Sequence, residues 1–349
     1  MANDMENVDF EEEYILNSRG LKLFTCRWIP KEKEAKALIF ICHGYAMECS
    51  ITMNSTAIRL ASAGYAVYGI DYEGHGKSAG LEGFVNSLDD VAEDCSKHFT
   101  SICEKKENKK KMRYLLGESM GGALALVLHR KKPEYWDGAV LVAPMCKIAD
   151  DLKPPRLVIS VLTKLCYVIP TWKIIPTKDI IDLAFKRPEI REQVTWFSPL
   201  SFQRRIPSSE FLTGLVASIQ VRANPYCYKG RPRLKTGYEC LRFSMDLEKR
   251  LNEVSLPFLL LHGEEDRVTD KSVSKLLYEE AASTDKTFNL YPEMWHGLLY
   301  GETLDNIDIV FSDIIKWLGD RTTLGNSRFE REQKNEEDDG HHLKAKHDS

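Results

Sequence analysis

The sequence predicts an α/β fold: a mostly parallel sheet flanked by helices, with an inserted helical cap. Three observations carry that expectation. Short apolar runs alternate with helix-like segments over two stretches, residues 37–143 and 257–318. A tight Gly-x-Ser-x-Gly turn, Gly117-Glu118-Ser119-Met120-Gly121, joins one apolar run to the helical segment after it. From about Met145 to Met245 the alternation breaks down.

Taken in order, Glu12 to Leu16 and Leu21 to Cys26 flank a Ser18-Arg19-Gly20 turn and read as a leading antiparallel pair. The run Ala37 to Cys42 is a buried strand, followed by a helix over Ile51 to Ala63 and a strand over Tyr65 to Asp71. A Gly-rich loop, Gly74-His75-Gly76-Lys77-Ser78, comes next; it has neither P-loop nor dinucleotide spacing and reads as scaffold. Leu88 to Cys103 is helical, Tyr114 to Leu116 a strand, and Gly122 to Leu128 a strongly apolar helix. Gly138 to Ala143 closes the first half. Strands Pro257 to Leu261 and Lys286 to Tyr291 and a helix over Ile307 to Leu318 complete the second.

The expected organisation is therefore a discontinuous core, residues 1–146 and 246–324, with residues 147–245 as cap and a charged, disordered tail over 325–349. In the cap, Pro154-Pro155 opens an apolar stretch, Leu157 to Ile169, too short to span a bilayer. It reads either as a helix lining an acyl pocket and touching lipid or as one packed only on the core.

A strand, a Gly-x-Ser-x-Gly turn and a helix together form the nucleophile elbow of α/β-hydrolases, with Ser119 exposed at the strand end. Serine alone is a poor nucleophile, so this fold supplies an acid and then a histidine, in that chain order, on loops after later strands. The loop after Leu261 offers Glu264, Glu265 and Asp266; the loop after Tyr291 offers His296. Asp266 is taken as the orienting acid and His296 as the base, although a Glu would be permitted chemistry. His43 and His75 precede Ser119, His98 and His129 fall in helices, His262 ends a strand, and His341, His342 and His347 lie in the tail. Backbone N–H groups of Tyr45, after the strand Ala37 to Cys42, and of Met120 are assigned to the oxyanion hole. Glu118 is assigned no chemistry.

The set His43-Gly44-Tyr45, Asp71 to Ser78, Gly117 to Gly122, His262 to Asp266 and Trp295-His296 resembles the plant monoacylglycerol lipase family, which includes caffeoylshikimate esterases and lysophospholipase-like enzymes. The likeness runs from about Glu12 to Arg321. It implies a serine hydrolase acting through an acyl-enzyme, and its triad falls on Ser119, Asp266 and His296, which is the ground for Asp266 over its two glutamate neighbours. The preferred substrate is a monoacylglycerol or similar single-chain lipid ester, with a phenolic ester such as caffeoylshikimate as the alternative. One stretch departs from the pattern: resembling chains run from Glu192-Gln193 almost directly into Val221, whereas here Val194 to Gln220 intervene, 27 residues. A Val codon can begin with GT and a Gln codon can be CAG, so the block reads as an intron translated in frame or as a genuine cap loop. If the cap is disturbed, a catalytically impaired isoform or a ligand-binding module is the further alternative.

Composition narrows the partners. The formal net charge of −4 gives no electrostatic case for nucleic acid, and the run Lys105 to Lys111 is broken by Glu107 and Asn108. Nine scattered cysteines, with Cys42, Cys146 and Cys166 in apolar runs, indicate free thiols in a reducing compartment. No Cys/His spacing suggests a metal site, and no cofactor is expected. The acidic start, Met1 to Glu13, lacks a signal-peptide core, so a cytoplasmic protein with possible cap contact to membrane is expected.

Overall fold

The computed structural model describes residues 7–146, 156–175, 184 and 221–323. Eight strands form one sheet in the order β1-β2-β4-β3-β5-β6-β7-β8. They are β1 (Val8–Leu16), β2 (Lys22–Pro30), β3 (Ala37–Cys42), β4 (Ala66–Ile70), β5 (Met112–Glu118), β6 (Gly138–Val142), β7 (Phe258–Gly263) and β8 (Lys286–Tyr291). β1 pairs antiparallel with β2 and β2 with β4; every pair from β4 through β8 is parallel.

β3 and β6 are apolar without interruption because both their faces are buried. In β3, Leu38, Phe40 and Cys42 enter one core cluster while Ala37, Ile39 and Ile41 enter the other. β7 repeats this, with Phe258 and Leu260 on one side and Leu259 and Leu261 on the other. A one-residue register slip would exchange the two sets. Helices α1 (Asn54–Ser62) and α7 (Leu304–Thr323) cover one face through Ala57, Leu60, Val310 and Ile314. Helices α2 (Leu88–Cys103), α3 (Met120–Lys131), α5 (Leu234–Glu248) and α6 (Lys271–Glu280) cover the other through Phe99, Leu124, Phe243 and Leu277. Each of these Leu, Val, Ile and Phe side chains is worth about 1.5–3 kcal/mol of transfer free energy when fully buried. Side-chain caps fix two starts: Ser87 accepts from the Asp90 amide at α2, and Asp270 from the Ser272 amide at α6.

The apolar stretch Leu157 to Ile169 forms α4 (Arg156–Val168). The Leu234 and Lys235 amides donate to the Trp172 and Pro170 carbonyls, which docks the end of this segment onto the start of α5. α5 runs through the boundary expected near residue 245, and its Phe243 and Leu247 belong to the core. All nine cysteines are free, eight of them buried. The block Val194 to Gln220 and the tail 325–349 lie outside the described residues.

Candidate active site

β5 ends at Glu118, α3 begins at Met120, and Ser119 between them has φ 54° and ψ −118°. That left-handed backbone costs a non-glycine residue about 1–3 kcal/mol, and surrounding hydrogen bonds hold it. The Ser119 amide donates to the Val142 carbonyl at 2.9 Å, and the Ser119 carbonyl accepts from the amides of Gly122 at 3.0 Å and Met145 at 2.9 Å. The flanking glycines do something other than supply the turn, because neither Gly117 nor Gly121 has positive φ. They permit close approach: a Cβ on Gly121 would stand 1.9 Å from the Cys42 carbonyl oxygen, and one on Gly117 2.4 Å from the Gly121 oxygen. The strain sits on the serine, and the glycines let α3 press against β3 and β5.

β7 and β8 deliver the partners. Asp266 follows β7, and its Oδ2 lies 2.7 Å from His296 Nδ1, in the loop after β8. The Asp266 side chain is fully buried, and its other oxygen accepts from the amides of Val268 at 2.7 Å and Thr269 at 3.1 Å. The Thr269 hydroxyl donates to Oδ2 at 2.8 Å, and His262 Nε2 stands 3.3 Å from the same oxygen. Burial alone would raise the Asp266 pKa, but the charge of His296 and bonds from His262 and His296 outweigh it and hold the carboxyl well below its ordinary range. Burial would likewise lower His296; the facing Asp266 carboxylate wins and raises it. Of the two remaining carboxylates in the loop, neither Glu264 nor Glu265 makes a contact with His296; Lys271 stands beside Glu264 instead.

His296 and Ser119 line one cavity of ≈ 500 Å³, together with Tyr45 and Met120. No acceptor among the described residues takes the backbone N–H of Tyr45 or of Met120, so both are available to a developing oxyanion beside Ser119. Met47, Met145, Ile175, Val221 and Val268 supply apolar wall. The earlier histidines are spoken for: burial, then proximity to His75, pushes His43 down to about 3, and burial pushes His75 down to about 4. His43 stacks on Tyr72 and its Nδ1 lies 2.8 Å from the Gly44 carbonyl. His43, Cys49 and Asp71 come within 4.8 Å of one another. Asp71 already accepts from the Cys49 and Lys77 amides, at 2.8 and 2.9 Å, so the trio reads as a buried hydrogen-bond network.

Two groups carry no signal in the sequence. Thr269 and His262 bracket Asp266, and His262 is itself tied to Ser274 at 2.8 Å and the Thr269 carbonyl at 3.1 Å. Glu118 lines the cavity, is 1% exposed, and neither of its carboxyl oxygens meets a partner in hydrogen-bond geometry. Burial raises its pKa to about 7, against lowering by His296 and the Tyr300 hydroxyl. The folded value exceeds the ordinary 4.5, so the native state binds an extra proton between those limits and loses stability as pH rises through them. Glu118→Gln is therefore expected to gain about 2–3 kcal/mol relative to the parent chain between pH 5 and pH 8, read from urea unfolding at both values.

Comparison with known proteins places the chain. The Hydrolase_4 model, described as Serine aminopeptidase, S33, matches residues 33–303. The caffeoylshikimate esterase of Arabidopsis thaliana is 31% identical over 89% of this chain and 89% of its own length. The monoglyceride lipase of Mus musculus is 26% identical over 90% of this chain and 93% of its own. Among solved structures, a soluble variant of monoglyceride lipase from Saccharomyces cerevisiae, in complex with a substrate analog, superposes with a TM-score of 0.71 at 17% identity, covering 88% of this chain and 94% of that one. An eight-stranded sheet with a strained serine elbow, matched over most of its length, makes the chain a member of the Serine aminopeptidase, S33 family of α/β-hydrolases and a serine carboxylic-ester hydrolase.

Proposed function

We propose that Ser119 is the nucleophile, His296 the base and Asp266 the orienting acid of an enzyme that cleaves an ester carrying one elongated acyl group. The observation that supports this best is the 2.7 Å His296–Asp266 bond beside a cavity that also exposes Ser119. Ser119 Oγ attacks the ester carbon while His296 Nε2 takes its proton and then returns it to the departing alcohol. Water, activated by the same imidazole, releases the acid. The Tyr45 and Met120 amides stabilise the oxyanion at both stages.

The cavity's size and methionine-rich wall suit a single acyl chain. A monoacylglycerol or lysophospholipid is the first reading, in keeping with the monoglyceride lipases among the relatives. A phenolic ester is the second, favoured by the higher identity to the caffeoylshikimate esterase. We also propose that residues 147–245 act as a cap and that its helix α4 reaches a lipid surface. Val158, Val161, Tyr167, Val168, Trp172 and Ile174 are all exposed on α4 and the segment after it. No helix among the described residues is long and apolar enough to cross a membrane.

Hydrolysis of 2-monooleoylglycerol and caffeoylshikimate by the whole chain, beside a version lacking Val194 to Gln220, tests the reading. Cleavage of either ester by the whole chain supports it, and the better substrate names the branch. Cleavage by the shortened version alone would mark the block as a lesion in the cap. A folded protein that neither cleaves an ester nor reacts with a fluorophosphonate would be a binding module instead.

A further inference from the structure

The wall of the Ser119 cavity is positively charged where it meets solvent. Lys229 and Arg231 both line it and both are exposed. Neither has an ion pair or side-chain hydrogen bond with any described residue. Six arginines elsewhere, Arg19, Arg27, Arg59, Arg130, Arg242 and Arg321, each face a carboxylate instead. The one acidic residue among the described lining is Glu118, which is buried at the floor with its pKa raised to about 7. In a chain of net charge −4, two cations with no ion pair among the described residues thus stand at the candidate active site.

These cations are not on a loose loop. The Tyr228 amide donates to the Ala46 carbonyl at 3.0 Å, which bolts the turn to the segment that carries the Tyr45 amide. The Tyr228 hydroxyl donates back to the Arg231 carbonyl at 2.9 Å and closes the turn over Gly230, where a Cβ would stand 2.4 Å from that hydroxyl. The Tyr228 ring sits edge-on to Tyr45 with centroids 6.4 Å apart. Lys173 Nζ lies 5.2 Å from the same ring and adds a third positive charge. Arg233 is committed elsewhere, to the carbonyls of Glu82 and Thr171.

We propose that Lys229 and Arg231 bind a carboxylate or phosphate carried by the alcohol portion of the ester, so that an anionic single-chain ester is preferred over a neutral monoacylglycerol. The inference rests on the ester-hydrolase reading above and adds the substrate's charge to it. The acyl chain needs the apolar wall, whereas the alcohol departs towards water, and the two cations stand on the wet side beside the oxyanion segment. A guanidinium fork and a mobile ammonium together suit an oxyanion of either geometry.

The test compares 1-oleoylglycerol with 1-oleoylglycerol 3-phosphate, which share an acyl group, using the full chain, Lys229→Gln, Arg231→Gln and the double variant. The carboxylate arm compares caffeoylshikimate with its carboxamide. The parent chain is expected to favour the anionic member of at least one pair by about tenfold or more in kcat/KM, with the margin shrinking in 0.5 M NaCl. Each single variant should lose several-fold on that anionic ester. The double variant should lose the preference altogether and keep its rate on the neutral partner within about twofold. The arm that responds identifies phosphate or carboxylate. Equal rates on both members of both pairs by the parent chain would overturn the proposal, as would a double variant that loses neutral and anionic esters in parallel. Absence of Ser119-dependent cleavage of any ester would instead sink the hydrolase reading beneath it.

Discussion

Ser119→Ala is expected to abolish ester hydrolysis, lowering kcat by about 10⁴-fold or more, while the protein stays folded. The size of the effect follows from the mechanism. On the proposed mechanism, loss of Oγ removes the acyl-enzyme, and what survives is the background that the proposed oxyanion amides of Tyr45 and Met120 would give to direct attack by water. Covalent labelling by a fluorophosphonate should vanish with the same substitution. Stability should separate from activity here, because Ser119 holds φ at 54°. Alanine keeps that strain, whereas glycine relieves it, so Ser119→Gly should be inactive yet about 1 kcal/mol more stable than Ser119→Ala. Thermal unfolding of the two variants side by side checks this. Full hydrolytic activity in either variant would remove Ser119 from the mechanism.

Asp266→Asn should lower kcat by about 10³–10⁴-fold, with an altered pH profile. The carboxylate stands 2.7 Å from His296 Nδ1 and, in the proposed mechanism, accepts its proton so that Nε2 is left to accept from Ser119. An amide in its place can donate to Nδ1 and favour the wrong tautomer. The pH dependence has a definite sign. Against the lowering effect of burial, Asp266 raises the His296 pKa above its ordinary 6.5, and the base works only when neutral. The parent kcat/KM should therefore fall on acidification with a midpoint above 6.5, and the midpoint should move down in Asp266→Asn. Stability shifts too. The folded Asp266 pKa is depressed, so its contribution is present above the ordinary carboxylate value of 3.8 and lost as pH falls below it. At neutral pH the variant should unfold more easily by a few kcal/mol, because the Val268 and Thr269 amides and His262 lose a charged acceptor. An unchanged acid limb in the variant would show that Asp266 does not tune the base.

Much of this was legible in residue order alone. Strands β3 and β7 announce themselves because both faces are buried, which demands unbroken apolar runs such as Ala37 to Cys42. Ser119, Asp266 and His296 stand out in the sequence because each falls just after a strand, and the structure puts all three after the C-terminal ends of parallel strands β5, β7 and β8. Helix α2 falls on the expected Leu88–Cys103, where Ser87 supplies a capping signal. β1, β2 and α7 run longer than expected: β1 gains Val8 to Glu11, β2 gains Arg27 to Pro30 with Trp28 in the core, and α7 gains polar end turns that carry no hydrophobic period. Thr269 and His262 were illegible as partners of Asp266 because their role comes from how the loop curls back on itself. Glu118 was equally illegible: nothing in a linear motif says that a carboxyl will be buried at a cavity wall with no partner in hydrogen-bond geometry. The roles of Gly117 and Gly121 as points of contact likewise appear only once β3 and α3 are packed.

The pairing of β6 with β7 has a thermodynamic consequence for lineage change. Those strands are adjacent and parallel, with Val142 opposite Leu261, so the long excursion between them leaves and re-enters the sheet at a fixed doorway. Chain length spent beyond that doorway is inexpensive: adding 27 residues to the excursion raises its closure entropy by only about 0.2 kcal/mol. Insertions there fall between the end of β6 and the start of β7, while the loops carrying Ser119, Asp266 and His296 follow the C-terminal ends of β5, β7 and β8. Selection can therefore rework what the enzyme admits, even clumsily, without first having to rebuild what it does.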